Sequence, residues 1–109
     1  MWSVVYLGEA EVERSALPKV EIAAMIHVDA KLRALGPALG YPHTSGVRGE
    51  PGLRELRPRG GHSPWRAFYR QIGSSFVIAA VGPEAQVDPQ GFRRACRVAV
   101  QRLAEAGER

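Results

Sequence analysis

Two adjoining segments in the second half of the chain constrain the fold most strongly, because together they have the pattern of a β-hairpin. The first, PWRAFYRQI (64–72), alternates so that Arg66 and Tyr69 lie on opposite faces of a strand. The second, SSFVIAAV (74–81), is a continuous apolar run, which is typical of an interior strand. Gly73 followed by a serine suits the turn between them. The pair therefore predicts two neighbouring antiparallel strands inside a sheet.

The rest of the chain has the patterns of helices and of two further strands. In 19–35 the apolar residues recur on one helical face, and Gly36 with the proline after it ends that helix. The other predicted elements are a strand at 2–7, a short acidic helix at 9–17, a loop at 39–52, a strand at 53–57 and a final helix opened by Pro89. The order β-α-α-β-β-β-α predicts an α+β fold, with a small antiparallel sheet and the helices on one side of it. We expect one domain over residues 1–109.

Composition argues against a membrane or secreted protein. No apolar run is long enough for a membrane helix. The N-terminus turns acidic at once and lacks the basic region of a signal peptide. Cys96 is the only cysteine, so no internal disulfide is possible, and this fits the reducing cytoplasm in which we expect the protein.

The positive charge of the chain is confined to its second half. The net charge is +4, yet residues 1–47 carry −1. Residues 48–109 carry +5, from eleven arginines, no lysine and six acidic residues. Arginine binds phosphate in a bidentate manner that lysine does not match, which favours RNA, DNA or an acidic protein as the partner. GC-rich coding would also enrich arginine, so the bias alone leaves the partner open.

Several kinds of catalytic site are missing from the sequence. One cysteine and three scattered histidines (His27, His43 and His62) lack the spacing of zinc ligands. There is no phosphate-binding glycine loop, no dinucleotide-binding glycine pattern and no Gly-x-Ser-x-Gly nucleophile motif. Cys96 falls on the apolar face of the last helix, which indicates a core residue. We therefore expect no metal and no small-molecule cofactor.

The strongest chemical signal is arginine on the predicted strands of 53–70. Guanidinium groups on a sheet grip phosphates and stabilise the extra negative charge that forms when the RNA 2′-hydroxyl attacks its own phosphodiester. This reaction needs positioning and proton transfer but does not strictly need a metal. Tyr69 could transfer a proton or stack on a base, and His62 is a candidate because histidine changes protonation near neutral pH. The same residues could equally form a solvated surface.

Four stretches, taken in order, resemble the HigB-like, phage-derived branch of the RelE superfamily of toxins from type II toxin–antitoxin systems. They are MWSVVY at the start, LRALGPALGYP (32–42), GLRELRPR (52–59) and WRAFYR (65–70), the last followed by an apolar strand. The resemblance implies a RelE-like fold with a curved antiparallel sheet. It also implies a cytoplasmic, metal-independent and ribosome-dependent endoribonuclease that cuts mRNA and inhibits translation. Its partners would be mRNA, the ribosome and a helix-turn-helix antitoxin.

The resemblance also assigns candidate site residues by position. Arg57 matches the arginine of the family's Glu-Leu-Arg strand, Arg66 the arginine that begins the next strand, and Tyr69 the aromatic residue that follows. The candidate catalytic residues are Arg57, Arg66, Tyr69 and His62. The candidate RNA-binding residues are Arg54, Arg59, Arg70, Arg93 and Arg97.

Two alternatives to a nuclease stay open, and the first of them follows from a departure from the family. Glu84 stands roughly where the family has a loop lysine, and a glutamate there would repel phosphate. The chain could therefore be a toxin-fold binding module that has lost cleavage and binds antitoxin, RNA or the ribosome. A further alternative is an accessory domain that binds DNA or protein through the arginines of the last helix (Arg93, Arg94, Arg97 and Arg102).

Overall fold

The predicted hairpin lies in the interior of a five-stranded sheet in the computed structural model, which describes residues 1–107. The strands are β1 (Ser3–Tyr6), β2 (Thr44–Gly46), β3 (Arg54–Leu56), β4 (Trp65–Ile72) and β5 (Ser75–Pro83), and the helices are α1 (Gly8–Ser15), α2 (Lys19–Leu35) and α3 (Pro89–Gly107). The strand order across the sheet is β1-β5-β4-β3-β2. β5 is thus flanked on both sides, as its apolar run predicts.

The sheet is mixed rather than wholly antiparallel. β4 pairs antiparallel with β5 and with β3, whereas β1 pairs parallel with β5, Val4 opposite Phe76. β1 is the first strand and β5 the last. Because they run in the same direction, the chain between them must return to the end of the sheet at which β1 begins. The α+β class with two N-terminal helices and one C-terminal helix is confirmed.

One strand, β2, lies in the stretch predicted to be a loop. It has three residues at the edge of the sheet and pairs antiparallel with β3. Its Thr44 is buried, and the Thr44 hydroxyl oxygen lies 2.6 Å from the hydroxyl oxygen of Tyr69. A strand this short has no measurable alternation, so the prediction of a loop at 39–52 was wrong at these residues.

The helices cover both faces of the sheet, not one. Ala67, Tyr69 and Ile78 pack in the cluster that includes residues of α1 and α2, whereas Phe68 and Ala80 pack in the cluster that includes residues of α3. A continuous apolar strand such as β5 is buried on both sides. The prediction of helices on one side was therefore wrong, and we call the two sides the N-helix face and the α3 face.

A β-bulge sets which residues of β5 point to each face. The pairing register shifts between Phe68 and Tyr69, which lie opposite Ala80 and Ile78, so Ala79 is an extra residue. Ala79 and Ala80 both pack on the α3 face, and their small side chains let the helix approach. α3 is also tied to α1, because Arg102 donates from both terminal nitrogens to Glu13, at 3.0 and 2.9 Å.

A buried carboxylate lies where β1, α1 and α2 meet. Tyr6 donates its hydroxyl to both oxygens of Asp29, at 2.9 and 2.8 Å, and an Arg14 nitrogen lies 3.7 Å from the carboxylate. Burial raises the pKa of Asp29 to about 6, although the Tyr6 hydrogen bond and the charges of Arg14 and Arg33 oppose that rise. Asp29 therefore binds a proton more readily in the folded chain than in the unfolded one.

This shift predicts that the stability of the fold depends on pH through Asp29. Asp29→Asn should reduce that dependence. Between about pH 4 and pH 6 the folded state holds a proton that the unfolded state has released, so the contribution of Asp29 to stability falls as pH rises through this window. Urea unfolding across this range should show the fall in the wild type and a flatter profile in Asp29→Asn. The exposed Glu11 provides a control, Glu11→Gln, which should leave the profile unchanged. Identical profiles for wild type and Asp29→Asn would contradict the assignment.

Candidate nucleic-acid interface

Arg66, at the beginning of β4, is buried, and all three nitrogens of its guanidinium group donate hydrogen bonds within the protein. Its side chain is 3% exposed. Nε donates to Glu55 Oε1 at 3.1 Å. One terminal nitrogen donates to the backbone oxygens of Ser63 and Trp65 at 2.7 and 2.9 Å, and the other to that of Gly61 at 3.2 Å. Burial, together with the nearby charge of Arg57, lowers the pKa of Arg66. The structure does not present this predicted catalytic arginine to a ligand.

Arg57 shares the carboxylate of Glu55 with Arg66. A terminal nitrogen of Arg57 lies 2.9 Å from Glu55 Oε1, the same oxygen that accepts from Arg66. Arg57 also donates from Nε to the backbone oxygen of Pro42 at 3.0 Å and lies over the ring of Tyr41. Its side chain is 18% exposed, so its edge reaches solvent. Within this network Arg57 is the arginine that a ligand can reach.

Glu84, the residue in the place of the family's loop lysine, faces the same network. Its Oε2 lies 3.9 Å from a terminal nitrogen of Arg66, and its Oε1 accepts the backbone N–H of Val87 at 2.7 Å. Two arginines are therefore accompanied by two carboxylates, Glu55 and Glu84. The positive charge on this part of the α3 face is largely neutralised inside the protein.

Tyr69 lies on the opposite face of the sheet from Arg66, whereas His62 lies between Gly61 and Ser63, whose backbone oxygens accept hydrogen bonds from Arg66. Tyr69 is buried on the N-helix face, where its ring packs edge-on against Phe76 and its hydroxyl pairs with Thr44. Alternation along β4 places Tyr69 and Arg66 on opposite faces, so they do not form one catalytic group. His62 is exposed in the turn after β3, beside Gly61, and is sterically free to meet a ligand.

Arg59 is used to attach this turn to α2. Its terminal nitrogen lies 2.6 Å from Glu21 Oε2, and Ser63 donates its hydroxyl to Glu21 Oε1 at 2.7 Å. Burial opposes ionisation of Glu21, but these two hydrogen bonds prevail and lower its pKa. Arg59 is therefore a structural ion-pair partner more than a free phosphate ligand.

Four other arginines, all of which line a cleft beside the turn between β2 and β3, are available to a ligand. Arg48, Arg93 and Arg97 are exposed and Arg70 is half-buried, and within residues 1–107 none of them makes a salt bridge or a side-chain hydrogen bond. A fifth, Arg54, is exposed and uses only Nε, which donates to Thr44 at 3.3 Å. Of the predicted RNA-binding residues, Arg54, Arg70, Arg93 and Arg97 are thus placed at the surface.

These five arginines flank the turn 47–52 that connects β2 to β3. On one side of the turn, a cleft of about 260 Å³ lies against α3, and we call it the helix cleft. Its lining consists of Val47, Arg48, Gly49, Glu50, Phe92, Arg93, Cys96 and Arg97. Three arginines thus line the cleft together with the half-buried ring of Phe92, which packs edge-on against Phe68. Phosphate binding beside an aromatic ring is the arrangement of a single-stranded nucleic-acid site.

The helix cleft adjoins the buried arginine network and contains no reactive nucleophile. Burial, then the charges of Glu55 and Glu50, raise the pKa of the Cys96 thiol to about 11. The thiol is thus protonated at neutral pH and unreactive. Glu55 lies opposite Phe68 in the pairing of β3 with β4, and Phe68 packs against Phe92 of the cleft, so the network with Arg57 lies near this cleft. Within residues 1–107, no three histidine, cysteine or acidic side chains are grouped as metal ligands.

Sequence reasoning missed Arg48 and the cleft that contains it. Arg48 lies in a Gly- and Pro-rich stretch without a helical or strand period, and its position across from α3 depends on long-range pairing of β2 and β3. The available signal was an arginine between glycines, next to a predicted strand. That signal alone does not identify which helix will face it.

The shared carboxylate predicts that Arg66→Ala destabilises the fold. Removing one partner of a buried ion pair costs about 3–5 kcal/mol, because the other charge stays buried without compensation. Chemical denaturation should show this loss for Arg66→Ala and almost none for the exposed Arg93→Ala. Adding Glu55→Gln to Arg66→Ala should recover part of the loss. If Arg66→Ala were as stable as the wild type, the structural role of this arginine would be wrong.

Within residues 1–107 no helix combines the length and apolar character needed to cross a membrane. No curated protein sequence matches the chain significantly.

Solved toxins of the RelE type have the same fold. A free mutant form of the Escherichia coli toxin RelE is 15% identical, with a TM-score of 0.63 over 88% of this chain and 95% of that one. A chain of the RelBE2 toxin–antitoxin complex from Mycobacterium tuberculosis is 20% identical, with a TM-score of 0.59 over 76% of this chain and 98% of that one. A chain of the intact E. coli RelBE complex is 16% identical, with a TM-score of 0.60 over 77% and 98%. The predicted similarity to the RelE superfamily is confirmed at the level of fold, whereas the HigB-like branch stays a prediction.

The family is shown by sequence. A model of the family described as "Phage derived protein Gp49-like (DUF891)" matches residues 13–79, more than half of the chain. The matched segment runs from α1 into β5 and includes the shared Glu55 carboxylate and both of its arginines. The chain therefore belongs to the phage-derived Gp49-like family, and it has the fold of RelE toxins.

Proposed function

We propose that this protein is the toxin of a type II toxin–antitoxin system and that it acts on RNA. The fold supports this, because similar chains are found in toxin–antitoxin complexes from M. tuberculosis and E. coli. The observation that carries the proposal is the helix cleft, which is lined by Arg48, Arg93 and Arg97 together with Phe92. Within residues 1–107 none of these arginines forms an ion pair, and Glu50 is the one acidic residue of the lining. Such a cleft binds phosphates and stacks a base.

The proposed reaction is ribosome-dependent cleavage of mRNA, which would inhibit translation. The RNA 2′-hydroxyl attacks the adjacent phosphorus, the bond to the 5′-oxygen breaks, and the proton of the 2′-hydroxyl and a proton for the leaving oxygen must be transferred. Arginines near the phosphate would stabilise the extra negative charge. Arg57 is suited to this because it is partly exposed and its guanidinium group is held in place by Glu55.

Proton transfer in this reaction requires a group other than Tyr69 and Arg66. Tyr69 is enclosed on the opposite face of the sheet, and Arg66 has no free donor directed at solvent. His62 is the remaining candidate, because it is exposed beside the turn that Arg57 contacts. We therefore assign the proposed proton transfer to His62, with a ribosomal or RNA group as its alternative. No metal is required for this scheme.

The second candidate is a binding module that has kept the fold and lost cleavage. The contacts of Glu84 favour it, because this carboxylate holds a place near Arg66 where a cation would be needed to attract phosphate. In that case the helix cleft would bind RNA or the ribosome without cutting. For both candidates we propose an antitoxin as the protein partner, of the helix-turn-helix type that the resemblance implies, and a cytoplasmic location.

Induced expression in a bacterial host separates these possibilities. The wild type should arrest growth and create new mRNA 5′ ends inside translated messages. The double variant Arg93→Ala/Arg97→Ala should abolish both effects, because it removes two phosphate ligands without changing the buried network. Arg94→Ala is the matched control, since Arg94 is an exposed arginine of the same helix outside the helix cleft.

Three results would each change the proposal in a different way. Arrest without new 5′ ends would establish the binding module. Arrest that persists in the double variant would remove the helix cleft from the mechanism. Normal growth with abundant folded wild-type protein and intact messages would contradict a toxin altogether.

A further inference from the structure

A second cleft lies on the other side of the turn 47–52 and is not used by the proposed reaction. It measures about 660 Å³, and we call it the edge cleft. Its walls are the end of α2 with the turn after it, the turn 47–52 and the β4–β5 hairpin. The residues that matter here are Pro37, Leu39, Glu50, Arg54, Arg70 and Phe76.

Two guanidinium groups of the edge cleft are available to an anion. Arg70 makes no ion pair or side-chain hydrogen bond within residues 1–107, and its Nε lies beside Gly52. Arg54 uses only Nε, so both terminal nitrogens are free, and one of them lies alongside Gly46. Glu50 is the single acidic residue of the lining, so two positive charges face one negative charge.

The edge cleft and the helix cleft lie on opposite sides of the same turn. Val47 and Glu50 line both clefts, so the turn 47–52 is their common wall. Gly49 and Gly52 have φ values of +83° and +84°, a backbone conformation that glycine adopts without strain. At these two positions of the turn no side chain stands between the clefts. A polymer that leaves one cleft over this turn therefore meets arginines again in the other.

The geometry points to the edge cleft as a second phosphate subsite for the same single-stranded RNA. The inference rests on the proposed function, because it extends the RNA of the helix cleft by further nucleotides. The strand would cross the turn 47–52 with one phosphate near Arg93 and Arg97 and a later phosphate near Arg54 and Arg70. The apolar wall of Pro37 and Leu39 would accept a base or ribose, as single-stranded sites do without sequence preference.

RNA is favoured over an acidic protein segment by the pairing of the two clefts. Both clefts present unpaired arginines, which bind phosphate oxygens in a bidentate manner. The two clefts share the glycine-containing turn 47–52 as a wall. A chain with regularly repeated negative charge satisfies both at once. An acidic peptide would match only those positions at which its sequence placed a carboxylate.

The test measures binding of 2′-O-methyl single-stranded RNA, in which the attacking hydroxyl is blocked, by fluorescence anisotropy. The probes are a tetranucleotide and a decanucleotide. The variants are Arg54→Gln/Arg70→Gln for the edge cleft and Arg93→Gln/Arg97→Gln for the helix cleft. Arg70→Gln alone is included because Arg70 makes no ion pair or side-chain hydrogen bond within residues 1–107. Arg94→Gln is the control for the loss of a positive charge elsewhere on the surface.

The subsite predicts a dependence on RNA length. Arg54→Gln/Arg70→Gln should weaken decanucleotide binding roughly tenfold or more and leave the tetranucleotide nearly unchanged, because the shorter strand is held in the helix cleft. The slope of log affinity against log salt should fall by about 0.7 for each phosphate contact removed. Arg70→Gln alone should show part of the same effect, and Arg94→Gln should show much less.

Each remaining outcome overturns the inference in a recognisable way. If only the helix-cleft variant weakens binding, the edge cleft is no RNA subsite and the proposed function stands. If neither variant weakens binding, both fail. Equal losses for both RNA lengths would mean an independent site rather than one continuous strand. Unchanged RNA binding with lost antitoxin binding would assign the edge cleft to the protein partner.

Discussion

The structure around the candidate site depends on one carboxylate oxygen, Oε1 of Glu55, which accepts hydrogen bonds from both Arg57 and Arg66. Glu55 lies in β3, Arg66 in β4, and the turn 58–63 closes over them through the backbone oxygens of Gly61 and Ser63. A buried guanidinium requires such partners, because an unpaired charge in the interior is strongly unfavourable. The network therefore holds two strands and the turn in one arrangement, which fixes where the surface arginines stand.

This network divides the arginines of the chain into two groups with different roles. Arg66 and Arg59 are held by internal carboxylates and stabilise the fold, and Arg57 stands at the boundary with solvent. Arg48, Arg70, Arg93 and Arg97 have no such carboxylate within residues 1–107 and are available for an external anion. Together with Arg54, these arginines line the clefts on the two sides of the turn 47–52. A basic composition by itself does not distinguish these groups.

The sequence was most informative where a pattern was long and local. The alternation of β4, the apolar run of β5 and the helical face of α2 all predict elements that the structure contains. The three-residue β2 was missed because so short an edge strand has no period, and it forms through pairing with β3 and the Thr44–Tyr69 contact. The two-sided packing was missed because the bulge at Ala79, which directs neighbouring alanines to α3, is a property of the β4–β5 register.

The candidate site was less predictable than the fold, since arginine content does not show which guanidinium meets an internal acid. Glu55 and Arg66 are eleven residues apart in sequence, and only the pairing of β3 with β4 brings them to one face. Tyr69 was a candidate through its chemistry and its position in the resemblance, and the alternation of β4 correctly predicted that it lies on the opposite face from Arg66. Arg93 and Arg97 were identified because a helix with a clear apolar face shows its exposed side chains directly.

The most direct test of this division is NMR of the arginine Nε–Hε groups during titration with blocked single-stranded RNA. Our account predicts shift changes that saturate with RNA for Arg48, Arg93 and Arg97, and a nearly constant signal for Arg66. Observation of the reverse, with Arg66 responding to RNA while the arginines of the helix cleft do not, would contradict it.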